Sequence, residues 1–573
     1  MLSRRRAAAA YTALAVLRVL VAFTSLSSIH PDEHFQNPEI AAASSFDYAM
    51  SGGDRPLRTW EWRGASPCRS ILPVAGSTGL AFLLVKVFLG SSPPASALFP
   101  AERAVILLFS FGIDYVVWHI SRRSHLSVLL FASSPVTFTF LLRPFSNTLE
   151  TVFLALAFFI FFRTLTSGRA ASVARLFGLG VVLAVGIFNR ITFAAFAMPL
   201  VLSTADAGSR QTSSHVSLSA SSRRLVLVGT SALAGFIVAA TSCIVVDTAY
   251  FSTGKVSIRT ALNALAHPHS FIVTPLNLLR YNASSDNLAE HGLHPRWLHA
   301  VVNAPSLFGA GLVIVALSAA DLLRPRGRLK PFDRRHLFLY LSTFFVPLVA
   351  LSVLPHQEPR FLVPLVLPVV LLAPYTSIFR SATSRAGKTR RVIWVLWLAH
   401  SFGFTIMFGY LHQGGLVPAT LALNGELRNS TTRIGAARAV DVVFWRTFMP
   451  PRHLLLPLAP AGALVPAVRV NDLAGASSST FLSTLAAFDL AASHVIVVAP
   501  AYTIEAQNLT SLATSTSTAS SGRSDPFDTL PKRRLSPLVA GRTSYGVHVD
   551  MDRLGDLSGA RWKTLGVGVW TVE

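Results

Sequence analysis

The sequence predicts an all-α polytopic membrane protein with about eleven transmembrane helices, a large first loop on the outer or lumenal side, and a small mixed α/β C-terminal region. Of 573 residues, 51% are hydrophobic and 13% charged, too apolar a balance for most soluble chains of this size. Several uncharged windows reach the roughly twenty residues that cross a bilayer core. Basic residues gather in alternate connections, as cytosolic loops require. The net charge of +23 therefore reads as topology, because the basic residues do not form the continuous, aromatic-interleaved surface of a nucleic-acid binder. Cys68 and Cys243 offer no disulfide framework and no Cys-x-x-Cys motif, and both read as free, packed thiols.

Residues 7–27 follow Arg4, Arg5 and Arg6 and read as an uncleaved first span, because a polar motif rather than a small-residue cleavage site comes next. The windows 225–246, 301–320, 336–354, 361–379 and 392–411 are the clearest spans. Weaker ones are 102–120, 126–142, 149–162 and a hairpin over 176–203 that turns near Asn189 and Arg190. Arg122 and Arg123, the run from Arg163 to Arg175, Arg223 and Arg224, and the connections 322–335 and 380–391 all belong in the cytosol, as does the N-terminus. The opposite side then receives 28–101, 143–148, 249–300, 355–360 and the tail from 413. Residues 72–90 are apolar enough to span, but counting them would put Arg122 and Arg123 on the wrong side, so they are expected to form an interfacial or re-entrant helix. The expected division is a membrane domain, 1–412, and a C-terminal region, 413–573, with a disordered Ser/Thr-rich stretch at 509–524. Sequons at Asn282, Asn429 and Asn508 all fall on the non-cytosolic side.

The chemically interesting residues share that side, beside span ends, where an enzyme acting on a lipid head group would hold them. The densest group is His30-Pro-Asp32-Glu33-His34-Phe-Gln36. A carboxylate partly desolvated at the interface gains basicity and can deprotonate a hydroxyl; the competing reading has Asp32 and Glu33 merely starting a helix behind Pro31. In the same loop Arg58, Trp60, Glu61, Trp62 and Arg69 provide indoles for sugar C–H faces and charges for hydroxyls, although indoles also anchor at interfaces. The short turn His356-Gln357-Glu358-Pro-Arg360 suits anion binding, with a guanidinium able to meet a phosphate twice; snorkelling to lipid phosphates competes. Arg143, Asn147 and Glu150 form a third polar turn, expected to support this surface. His291, His294 and His299 lie close in sequence but lack a Cys partner or a His-Glu-x-x-His helix, which argues against zinc there.

Four of these motifs, in order, resemble the multispanning mannosyltransferases of glycosyltransferase family 22: His30-Pro-Asp-Glu-His-Phe-Gln36, Thr59-Trp-Glu-Trp62 with Cys68-Arg-Ser70, Arg143-Pro-Phe-Ser-Asn-Thr-Leu-Glu150, and His356-Gln-Glu-Pro-Arg-Phe361. The resemblance covers nearly all of 1–415. Thr274-Pro-Leu-Asn277, the run Asn287 to Arg296, and His412-Gln-Gly-Gly415 draw it toward the branch that adds the fourth mannose of the glycosylphosphatidylinositol (GPI) precursor. Gln357 stands where lysine is frequent elsewhere in the family.

The resemblance implies a GT-C fold, an active site in the endoplasmic reticulum (ER) lumen, dolichyl-phosphate mannose as donor, and an inverting transfer onto a GPI glycolipid. Asp32 is then the expected general base, with Glu33 orienting. His356, Gln357, Glu358 and Arg360 face the donor phosphate, and Arg58, Trp60, Glu61 and Trp62 shape the acceptor site. No metal cofactor and no obligate protein partner are expected. A family 22 enzyme with another GPI-core or N-glycan-precursor acceptor is the nearest alternative. A lipid-glycan scaffold and a transporter stand further off, because a transporter would carry its ionisable residues inside paired helices near the midplane.

Overall fold

Hydropathy becomes helix along most of the chain. In the computed structural model, which describes residues 3–48, 53–165, 173–210, 218–290, 292–324, 330–459, 465–507, 509, 511–512, 533–539, 544–558 and 560–573, seven helices are long and apolar enough to cross a membrane. They are Arg4–Thr24, Ile71–Leu89, Ala95–Ile120, Ser146–Thr164, Gly229–Thr253, Pro331–Val353 and Ser384–Leu411. Two bent pairs, His125–Ala132 with Pro135–Leu142 and His299–Phe308 with Gly311–Leu323, raise the number to nine if each is one span. Three shorter apolar helices, Val173–Asn189, Phe193–Thr204 and Pro359–Tyr375, complete the set among the described residues. Asn508, His291 and most of the stretch 509–524 lie outside the described residues.

Some of the expected spans take a different form, and one stretch not counted as a span is long and apolar enough to be one. Residues 72–90, expected as an interfacial or re-entrant element, fall almost wholly within Ile71–Leu89, a 19-residue helical stretch long and apolar enough to cross a membrane. The span expected at 301–320 is broken by a 114° bend. Gly309 adopts φ +47° at that break, a conformation only glycine reaches without strain. The span expected at 361–379 is shorter, Pro359–Tyr375, because Pro359, Pro364, Pro368 and Pro374 each remove a backbone donor and leave 3-10 turns at both ends.

The chain divides into two compact units, one comprising Met1–Ala22, Arg58–Thr78 and Arg103–Phe404, the other Phe23–Leu57, Gly79–Glu102 and Thr405–Glu573. The last break, at 404/405, falls near the boundary expected at 412/413, but two stretches of the first loop region join the C-terminal part.

The first unit is helical. The helices Val173–Asn189 and Leu218–Thr253 approach through glycine: a methyl at Gly180 would stand 1.9 Å from Ala232 O, and one at Gly235 2.0 Å from Phe177 O. Two apolar helices also carry a buried ion pair. Arg18 Nη1 and Nη2 lie 2.8 and 3.2 Å from the Asp114 carboxylate, which also accepts from the Tyr11 hydroxyl at 2.9 Å. Pairing of this kind is what lets a charge persist among apolar helices.

The second unit contains a six-stranded sheet. Its strands are β1 (Ala439–Phe444), β2 (Ala467–Asp472), β3 (His494–Pro500), β4 (Ser511–Leu512), β5 (Arg533–Pro537) and β6 (Val567–Val572), in the order β2-β1-β3-β6-β5-β4. β1 pairs in parallel with β2 and β3, and the remaining pairs are antiparallel. The Val/Ile-rich β1 and β3 are central and almost wholly buried, as suits β-branched strands covered on both faces. Trp445 stacks on Phe481 at 4.3 Å in the core beneath them. Asp54 of the early segment caps the outer edge through backbone and side chain: its N donates to Val468 O, and its Oδ2 accepts from Val470 N, both at 2.7 Å.

Candidate active site

In the second unit, the turn after the first helix folds as a four-residue helix, Asp32–Phe35, begun by Pro31. Gln36 Nε2 donates to Asp32 Oδ2 at 2.6 Å, and Asp32 N donates to His30 Nδ1 at 3.1 Å. Glu33 turns inward and accepts from Ile29 N at 3.2 Å, with no exposed surface, whereas the Asp32 side chain keeps 25% of its surface open. Both acids stand in the first turn of this helix, and Asp32 is the accessible carboxylate.

In the first unit, the loop 58–70 is built around Trp60–Trp62, a 3-10 turn. Trp60 stacks on Tyr281 at 4.1 Å while remaining 41% exposed; Trp62 is buried, and the Arg58 guanidinium lies over the Tyr250 ring at 5.4 Å. Glu61 takes two bonds from Arg69, at 2.6 and 2.9 Å. Asn277 Nδ2 donates to Pro67 O at 3.0 Å, so the Thr274–Asn277 motif supports this loop. Asp247, which the sequence reading did not single out, anchors both: it accepts from Ser70 Oγ and Ile71 N at 2.9 Å and from Thr274 Oγ1 at 3.0 Å. Burial first, and then the Glu61 carboxylate, push the Cys68 thiol up to about 11, so it stays protonated near neutrality.

The polar turns of this unit converge. Ser146 Oγ accepts from Arg69 at 3.3 Å and from Arg190 at 3.0 Å; Glu150 accepts from Thr192 at 2.7 Å and from Asn147 at 3.4 Å, with Arg190 Nε 3.6 Å away. Arg143 is buried in the same turn region. The guanidiniums of Arg190 and Arg360 lie over the Phe361 ring at 5.1 and 5.4 Å. Burial, reinforced by Arg69, lowers Arg190 to about 10, which leaves it charged at neutral pH. Its only sequence signal was a polar Asn-Arg pair between two apolar arms.

Glu358 links His356 and Arg360, accepting from His356 Nε2 at 2.7 Å and from Arg360 Nη2 at 2.8 Å. Gln357 departs from its expected role as a phosphate ligand. Its amide nitrogen donates to the carbonyls of Ser352, Leu354 and Arg296, its oxygen accepts from His299 N at 2.8 Å, and it is 2% exposed. With donors and acceptor spent on backbone, it clamps the turn to the 292–299 loop, where His294 N also donates to Pro355 O at 2.8 Å.

Among the described residues, the one group able to offer three convergent metal-ligand atoms is His34, Glu102 and His453, in the second unit. Asn282 and Asn429 lie at helix C-termini.

Apolar helices whose ends and loops carry carboxylates, guanidiniums and indoles define a multi-pass membrane enzyme. The chain belongs to the Alg9-like mannosyltransferase family, whose sequence profile matches residues 9–457. It is 33% identical over 462 residues to the GPI mannosyltransferase 4 of Aspergillus oryzae, covering 78% of this chain and 77% of that one. It is 32% identical over 511 residues to the GPI alpha-1,2-mannosyltransferase 4 of Homo sapiens, covering 83% and 80%. Among solved structures, ArnT from Cupriavidus metallidurans bound to undecaprenyl phosphate is similar at a TM-score of 0.45 and 12% identity, covering 98% and 97%.

Proposed function

We propose that this mannosyltransferase adds the fourth, α-1,2-linked mannose of the GPI precursor, transferring it from dolichyl-phosphate mannose to the third mannose at the ER membrane. The observation that carries this reading is the similarity to the fungal and human enzymes named for that step, above 30% identity over more than three quarters of the chain. The N-terminus is cytosolic in this reading, and the GT-C active site and C-terminal region are lumenal, consistent with the alternating basic loops.

The reaction is one in-line displacement. The acceptor O2–H proton passes to Asp32, O2 bonds to mannose C1, and the C1–O bond to phosphate breaks with inversion, its electron pair leaving on dolichyl phosphate. Asp32 is assigned as base because it is the accessible carboxylate of the pair, and Glu33 holds the turn. His356 and Arg360, preorganised by Glu358, receive the charge that grows on the leaving phosphate. Arg58, Trp60, Glu61 and Trp62 present the acceptor, supported by Arg69, Asn147, Glu150 and Arg143. A monophosphate leaving group met by these cations needs no metal ion in the transfer step, and no obligate protein partner is invoked.

The test is transfer by the purified protein from dolichyl-phosphate mannose to two acceptors, a three-mannose GPI precursor and an N-glycan precursor lacking outer mannoses, with linkage read by α-mannosidase digestion and mass spectrometry. One α-1,2-mannose added to the GPI acceptor alone is expected. Transfer to the N-glycan acceptor would overturn the pathway, and another linkage on the GPI acceptor would overturn the step.

A further inference from the structure

Four side chains with almost no exposed surface meet in the second unit: His34, Glu39, Glu102 and His453. They come from three distant stretches of chain, and the proposed reaction uses none of them. His453 Nδ1 is 2.9 Å from Glu39 Oε1, and its Nε2 is 3.3 Å from Glu102 Oε2. The His34 and His453 ring centroids are 5.9 Å apart. One ligand atom from each of His34, Glu102 and His453 lies within 4.8 Å of the other two.

We infer that His34, Glu102 and His453 bind a structural zinc ion. Two imidazoles and a carboxylate are a zinc donor set. Ligand atoms about 2.0–2.1 Å from a tetrahedral ion stand about 3.3–3.4 Å from one another, and the Glu102–His453 separation of 3.3 Å has that length. A charge-assisted hydrogen bond is shorter, about 2.7–2.9 Å, and the Glu39–His453 contact is one, at 2.9 Å. The two carboxylates therefore play different parts. Glu39 accepts the Nδ1 proton and so leaves the Nε2 lone pair to the metal, the carboxylate–histidine–zinc arrangement that sets a ligand's tautomer and orientation. Glu39 is itself held, taking His453 N at 2.8 Å and Leu57 N at 2.6 Å. Within these four side chains a divalent cation also cancels both carboxylate charges, which removes much of the cost of burying them.

The ion would join three segments: the turn carrying Asp32 and Glu33, through the adjacent His34; the first turns of the helix Ala95–Ile120, through Glu102; and the short helix Arg452–Leu455, through His453. Its role is to hold the catalytic turn, outside the transfer chemistry, and the inference stands whichever acceptor the enzyme uses.

The experiment is elemental analysis by mass spectrometry of the full chain, purified in detergent without chelator and without a histidine tag, together with zinc K-edge absorption. About one zinc per chain is expected, with two imidazoles and oxygen at about 2.0–2.1 Å and no sulfur. His34→Ala and His453→Ala should each lower bound zinc at least tenfold. A monodisperse, transfer-competent preparation free of zinc would overturn the inference, as would zinc retained in both variants. Should the variants fail to fold, the ligand count on the unaltered protein decides: sulfur ligation or fewer than two imidazoles overturns it.

Discussion

Asp32 and Glu33 are neighbours of the same chemistry, and burial separates them. The motif around them was legible because paired acids after a span are conspicuous. Which of the two faces outward was not, because that depends on how a four-residue helix seats on distant chain. Glu33, wholly buried and bonded to Ile29 N, belongs to the architecture; Asp32 keeps an open face. Asp32→Asn is therefore expected to lower kcat by about 10²–10⁴-fold without moving the thermal midpoint. Glu33→Gln should lower the midpoint while kcat in the folded fraction falls far less. Equal loss of kcat in two stable variants would contradict this division. Gln357 illustrates the converse: beside a histidine and an arginine it reads as a ligand in one dimension, and only its four backbone bonds reveal a clamp. Arg190 was visible only as a turn, because its proximity to Phe361 and Ser146 joins residues far apart in sequence.

At the scale of elements, apolar length is a local property, so the helices themselves could be read off the chain. Their bends could not. A window of uncharged residues scores alike whether straight or folded back, and the 114° bend follows from one glycine at φ +47°. A methyl at Gly309 would also stand 2.7 Å from His400 Nδ1, in a ring whose other nitrogen is held 2.9 Å from Ser306 O. Gly309→Ala should thus cost about 1–3 kcal/mol, seen as a lower unfolding midpoint in detergent. Gly403→Ala, in an open position on the helix Ser384–Ile406, is the control and should leave the midpoint near that of the parent. The ion pair of Arg18 with Asp114 shows the same limit, since hydropathy tolerates an isolated charge but does not say which charge on another helix answers it.

For the molecule as a whole, the C-terminal region sets a pH dependence. His548 is fully buried, and burial, then the neighbouring His412, lower it to about 3. An unfolded histidine titrates near 6.5, so between those values the unfolded chain binds the extra proton. This contribution to stability is complete above about pH 6.5 and is lost as pH falls toward 3, by up to about 1.4 kcal/mol per pH unit. Unfolding midpoints measured from pH 6.5 to 4.5 should decline, and His548→Leu should flatten the decline; an unchanged slope would assign it to other groups. His548 lies beside the His412-Gln-Gly-Gly415 motif, whose glycines admit the neighbouring segment 545–549: a methyl at Gly414 would stand 2.3 Å from Val547 O, and one at Gly415 2.6 Å from Tyr545 O. The sequence by itself determined the membrane class, most of the helices, the motifs and the family resemblance, because composition, periodicity and short spacings are properties of neighbouring residues. Tertiary structure decided which carboxylate is open, where helices bend, that stretches of the first loop region pack with the C-terminal part, and that His34, Glu102 and His453 meet. Each of these depends on burial and on partners tens to hundreds of residues away, and chain order carries neither.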